Sequence, residues 1–193
     1  VQLQLLRLLD VEENMLSKME NELPEIISFH NLKHTVNVST QVELIGRAEG
    51  ISDEEMICVQ TAAIFHDSGF LDGPENYKQT SCFYAKDILP KYKYSNDQIK
   101  IICELIMSTQ MPISPDNKLE EILCDANFTY LGRADFIDII KNQAKEMIHC
   151  NIVSSEKEWF EKQIGFVKDH EFYTATARVL RDVSKEEQGK KLE

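Results

Sequence analysis

The sequence predicts an all-α protein, a compact multi-helix bundle built as one domain. Three observations carry that prediction. Apolar residues recur at mixed three- and four-residue spacing along most of the chain. No stretch of useful length alternates apolar and polar side chains as a half-buried strand would. The breaks between periodic segments are short and rich in Pro, Gly, Asn and Asp, so neighbouring helices are expected to pack roughly antiparallel. At 193 residues the chain is long enough to bury a sizeable core.

In order, Leu3, Leu6, Val11, Met15 and Met19 mark a first helix that stops before Pro24. It either packs on the core or continues a helix from an upstream domain. Residues 29–50 read as a second helix, stopped by Gly50. Ser52 and Glu55 form a capping box that starts a third helix over residues 53–66. A loop over 68–75 follows, then helices over 77–89, 97–109 and 119–132. An amphipathic segment covers 135–150, Ser155 and Glu158 cap a helix through Val167, and a last helix covers 173–182. The division expected is an N-terminal helix at 1–24, a catalytic-type bundle at 25–183 and a polar, frayed tail at 184–193. The chain starts at Val1 within a helical pattern, and Leu192-Glu193 resembles a vector remnant, which suggests an excised domain.

Thirty-three acidic against 21 basic residues give a net charge of −12. Such a surface repels nucleic-acid duplexes and anionic membranes. A small phosphorylated substrate needs a local cation to offset this field. Five cysteines, none in a Cys-x-x-Cys pair, sit mostly in apolar helical surroundings, which argues for reduced core thiols in a cytoplasmic protein. No apolar stretch is long enough to span a bilayer.

The chemistry centres on Ala62-Ala63-Ile64-Phe65-His66-Asp67-Ser68-Gly69. An apolar run ends in an imidazole and a carboxylate, which are costly to bury unless a partner compensates. A divalent cation satisfies both, and the alternative is a core histidine with a polar helix end. Two adjacent residues bind one metal only where the chain leaves the helix, and Gly69 permits that turn. His30 and His34 stand four residues apart, a spacing that places two imidazoles on one helix face. Asp125 is a third carboxylate in an apolar context. Together His34, His66, Asp67 and Asp125 offer two imidazoles and two carboxylates from three helices, a set suited to a divalent ion with open positions.

These residues resemble the metal-ligand order of the HD-domain phosphohydrolase superfamily: one histidine, an adjacent His-Asp pair, then a later aspartate. His30-Asn31-x-x-His34 is similar to the His-Asn-x-x-His motif of its cyclic-nucleotide phosphodiesterase branch. The stretch from Asp125-Ala126 to Tyr130-Leu131-Gly132-Arg133 is similar to a segment of bacterial members. The resemblance implies an all-α core and a metal-activated water attacking a phosphate mono- or diester, with a nucleotide, cyclic or not, among the expected substrates. It also implies His34, His66, Asp67 and Asp125 as metal ligands, His30 as the acid for the leaving oxygen, and Asp67 as catalytic. Iron, manganese, magnesium, zinc and nickel all suit this donor set. Three departures stand out. Tyr77 occupies a place where relatives carry a histidine, Asn127 and Thr129 replace later aspartates, and Ser68 follows the dyad where an apolar residue is usual. One metal rather than two is therefore expected.

Asn31, Lys78, Arg133 and His170 are further candidates for substrate contact; solvated lysine and a structural helix-junction histidine are the plainer readings. Two functions from different classes remain. One is the metal-dependent phosphohydrolase. The other is a catalytically reduced HD domain that senses a ligand or docks a partner within a signalling protein. A homodimer or an upstream signalling domain are the macromolecular partners expected.

Overall fold

The computed structural model describes residues 2–192. The helix around which the others pack is the third, and its sequence shows why. From Met56 to Phe65 it is apolar apart from Gln60 and Thr61, with no polar stripe to turn toward water. Helix α3 (Asp53–Phe65) starts at the expected capping box: Glu55 N–H donates to Ser52 Oγ, and the Glu55 carboxylate accepts from Ser52 N–H. Val59, Thr61, Ala62, Ala63, Ile64 and Phe65 are at most 1% exposed. Burial of side chains like Ile64 and Phe65 contributes about 1.5–3 kcal/mol each.

Around α3 lie α1 (Gln2–Glu22), α2 (Leu32–Glu49), α5 (Asn96–Ser108) and α6 (Lys118–Phe128). A 3-10 turn, Ser68–Asp72, follows α3 and packs on α4 (Tyr77–Ile88), which leads through a second 3-10 turn (Leu89–Tyr92) into α5. Helices α7 (Phe136–His149), α8 (Glu156–Asp169) and α9 (Ala175–Leu192) pack in succession, and α9 returns to α2. Among the described residues there are nine α-helices and no strand, as the sequence predicts. No helix among them is long and apolar enough to cross a membrane.

Four expectations are corrected. The second helix begins at Leu32, not 29, because the Asn31 carboxamide caps it by accepting from His34 N–H. His30 therefore lies outside the helix, and the two imidazoles do not share a helix face. The 68–75 loop contains a 3-10 turn. Of the expected tail, residues 184–192 are helical and docked, and Glu193 lies outside the described residues: Gln188 accepts from Gly132 N–H and donates to Arg133 O, while Lys185 Nζ donates to His170 O. The first helix packs on the core, with Leu8, Val11, Met15 and Met19 buried.

Candidate metal centre

His66 and Asp67 sit at the C-terminal end of α3, where the chain turns sharply. Gly69 makes that turn possible: a Cβ there would lie 1.9 Å from the Tyr77 carbonyl oxygen, so only glycine lets α4 approach. Ser81 Oγ accepts from Gly69 N–H at 2.8 Å and donates to His66 O at 3.2 Å, fastening the turn to α4.

The turn presents His66 and Asp67 to His34 on α2. One ligand atom from each of the three lies within 4.8 Å of the others, and all three residues are buried. His66 Nδ1 lies 2.7 Å from Ala63 O, which fixes its proton there and leaves Nε2 as a lone pair. That lone pair lies 2.9 Å from Asp67 Oδ2, and neither atom has a hydrogen-bond partner. Two buried acceptors facing each other are satisfied by a proton or a cation placed between them. His34 Nε2 is 3.4 Å from the same carboxylate oxygen. Burial holds the His34 imidazole down to about 4, so it is neutral and able to ligate near neutral pH. These atoms fit a divalent ion: imidazole nitrogens and one carboxylate oxygen, with the His66 ring already oriented by its Nδ1 bond to Ala63 O.

Two neighbours change the character of the group. Asn127 Oδ1 lies 3.0 Å from His34 Nε2, so α6 turns an amide toward the centre. Lys78 is only 2% exposed, and its Nζ donates to Asp67 Oδ1 at 3.0 Å and to His66 O at 3.1 Å. Burial opposes ionisation of Asp67, yet the positive charge around it, the Lys78 ammonium included, holds its carboxyl well below the usual carboxylate range. Asp67 thus gives one oxygen to an ammonium and leaves one for a metal.

Asp125, expected as the fourth ligand, is not in this group. Its Oδ1 accepts from Tyr173 N–H at 3.0 Å, and its Oδ2 accepts from Thr174 N–H at 2.7 Å and Thr174 Oγ at 2.8 Å. It caps the start of α9 instead. Residues two apart on a helix point roughly 200° apart, so the helix that aims Asn127 at His34 aims Asp125 away.

His30 is held rather than free. Its Nδ1 pairs with Glu146 Oε1, and Glu146 Oε2 accepts from Phe29 N–H at 2.6 Å and His30 N–H at 3.1 Å. Glu146 is fully buried; burial opposes its ionisation, but these bonds, His30's first among them, hold it below the usual range. The His30 ring stacks on Phe70 at 4.4 Å and stands edge-on to His34 at 5.9 Å. Sequence reasoning missed Glu146, although its place seven residues after Ile139 puts it on the apolar face of α7.

The remaining candidates divide. Lys78 is neither solvated nor exposed to a substrate. Asn31 is the cap of α2, donates to Ser28 O at 2.7 Å and lines a cleft of about 530 Å³ that opens on His34. Arg133 lines the same cleft, bonded to Asp135 at 2.7 and 2.9 Å and to Asn37 at 2.7 Å. Lys33, Lys141 and Lys145 also line it. His170 lies away from the centre, at the end of α8 among Phe128, Phe166 and Phe172, and burial lowers it to about 4.

No family model matches the chain. A Clostridium beijerinckii protein, itself described only as uncharacterized, is 32% identical over 126 residues, 63% of this chain and 73% of that protein. The crystal structure of a predicted HD superfamily hydrolase from an uncultured Thermotogales bacterium is similar in fold, with a TM-score of 0.63 over 93% of this chain and 88% of that one. The identity there is 16%, so the likeness is one of fold.

Proposed function

The chain belongs to one family with the Clostridium beijerinckii protein and has the HD-domain fold, and from that premise we propose that it is a metal-dependent phosphohydrolase cleaving a phosphate mono- or diester. The observation that carries this reading is the state of His30. Its ring is oriented by the buried Glu146 carboxylate through Nδ1, which leaves Nε2 for proton exchange beside a cation-fitting group. A purely structural imidazole has no need of such placement.

His34, His66 and Asp67 would hold the metal, with the Asn127 carbonyl oxygen nearby. A divalent ion bound there supplies Lewis acidity toward phosphoryl oxygens and lowers the pKa of water. Lys33, Arg133, Lys141 and Lys145 line the cleft beside His34 together with Asp135 and Asp138, so cations outnumber carboxylates there within a chain of net charge −12, which favours an anionic substrate. His30 delivers a proton to the leaving oxygen from Nε2, and Glu146 stabilises the imidazolium that precedes the transfer. Asp67, ionised by its neighbours, holds a negative charge facing the two imidazoles. With two imidazoles, one available carboxylate oxygen and an amide, the donor set favours nitrogen-tolerant ions over magnesium.

A second reading is favoured by Lys78 and Asn127: an ammonium on Asp67 and an amide in place of an acid weaken the hold on a cation, as in a domain that binds a ligand without turnover. The experiment that decides is hydrolysis of a generic phosphodiester and a nucleotide panel with added metals. His30→Ala is expected to lose roughly 10²- to 10⁴-fold in kcat while keeping its metal. Asp67→Ala is expected to lose both. Equal rates in wild type and both variants would leave the binding reading standing.

A further inference from the structure

All five cysteines are free thiols, and two of them face each other away from the metal centre. Cys82 on α4 and Cys103 on α5 meet where those helices pack. Cys82 Sγ lies 3.5 Å from Cys103 O, and Cys103 Sγ lies 3.8 Å from Cys82 O. The two thiols also interact side chain to side chain. Each sulfur thus reaches the main chain that carries the other, so the two side chains lie against one another where α4 meets α5.

The pair is reachable. Both cysteines line a groove of about 600 Å³ together with Lys86, Lys100 and Met107. Cys103 is half-buried rather than enclosed. The other thiols are worse nucleophiles: burial pushes Cys58 up to about 11 and Cys124 up to about 12, and raises Cys150. The Cys103 thiol runs the other way, to about 7, because the Cys82 thiol donates toward it and the Lys86 ammonium is near. The thiolate is the reacting form.

We propose that Cys82 and Cys103 form a reactive dithiol that a small-molecule disulfide oxidises to an intramolecular disulfide, tying α4 to α5. The Cys103 thiolate attacks one sulfur of the oxidant, forming a mixed disulfide and expelling one thiolate. Cys82 then loses its proton and attacks the Cys103 sulfur, forming the Cys82–Cys103 bond and expelling the second thiolate. The oxidant gains two electrons and leaves as two thiols; the protein loses two electrons and two protons. The bridge lies one turn along α4 from Lys78 and next to Ser81, the residues that fasten the His66–Asp67 turn.

The test is to expose the folded full chain to oxidised glutathione, block free thiols and map the peptides. The expected product links the Cys82 and Cys103 peptides, and dithiothreitol releases both. Cys82→Ser is expected to stop at a glutathione adduct on Cys103, and Cys103→Ser to take up glutathione at Cys82 more slowly by tenfold or more. A wild-type protein that keeps an unresolved adduct on Cys103, links through Cys58, Cys124 or Cys150, or shows no reaction at the pair overturns the proposal. The wild-type map needs no variant to fold, and it is independent of whether the protein hydrolyses phosphate esters.

Discussion

Two buried aspartates, each at an apolar helical segment, do opposite things in this protein. At the end of α3, Asp67 receives one ammonium and faces two imidazoles, and one carboxylate oxygen is left without a partner. On α6, Asp125 receives two main-chain N–H groups and a hydroxyl at the start of α9. Burial raises the Asp125 carboxyl, with the bonds from Thr174 and Tyr173 opposing it, whereas Asp67 is held well below the usual range. The lesson is that a carboxylate's function follows from which donors exhaust its lone pairs. Asp125 is spent on the fold, and Asp67 retains capacity for a cation.

That contrast can be broken in several places. The largest stability effect belongs to Asp67→Ala, which strands the Lys78 ammonium in the interior and is expected to cost about 3–5 kcal/mol in chemical denaturation. Adding Lys78→Met is expected to recover most of it; a double variant no more stable than the single one would show that the pair is not the cause. Asp125→Ala removes a cap and leaves buried donors unpaired, an expected loss of about 1–3 kcal/mol without loss of metal affinity. Lys78→Met alone is expected to tighten metal binding in calorimetry, since Asp67 then presents both oxygens to the ion. Unchanged or weaker affinity would contradict the ammonium's role. The smallest effect is on pH dependence. His170 titrates near 4 when folded and near 6.5 when unfolded, so the unfolded chain binds more protons in between. Its contribution to stability is fully present above about 6.5 and is lost as pH falls toward 4. His170→Phe, which suits its aromatic surroundings, is expected to flatten the melting-temperature profile between those values.

Much of this was legible in the sequence, and the exceptions have physical reasons. The caps at Ser52 and Ser155 and the largely apolar run of α3 mark helices that the structure contains. The His66-Asp67-Ser68-Gly69 string names a polar turn at a buried helix end before any coordinates exist. Asp125 against Asn127 was not decidable, because the choice depends on which side of α6 meets α2, and both sides are apolar enough to be buried. Lys78 reads as a solvated charge because lysines usually snorkel to water; only the carboxylate of a distant turn explains its burial. Glu146 shows itself in the sequence only as an acid on the apolar face of α7, and its role stays hidden because its partners, Phe29 and His30, lie more than a hundred residues earlier. The polar tail reads as frayed because Gln188 and Lys185 dock it by hydrogen bonds, without an apolar stripe.

The central claim is that the His34, His66 and Asp67 group holds one metal ion and that Asp125 does not. Elemental analysis of wild type, Asp67→Asn and Asp125→Asn after equilibration with zinc or manganese and gel filtration tests it directly. The account predicts one equivalent of metal in wild type, the same in Asp125→Asn, and a loss of at least tenfold in affinity in Asp67→Asn. Metal retained by Asp67→Asn and lost by Asp125→Asn would contradict it.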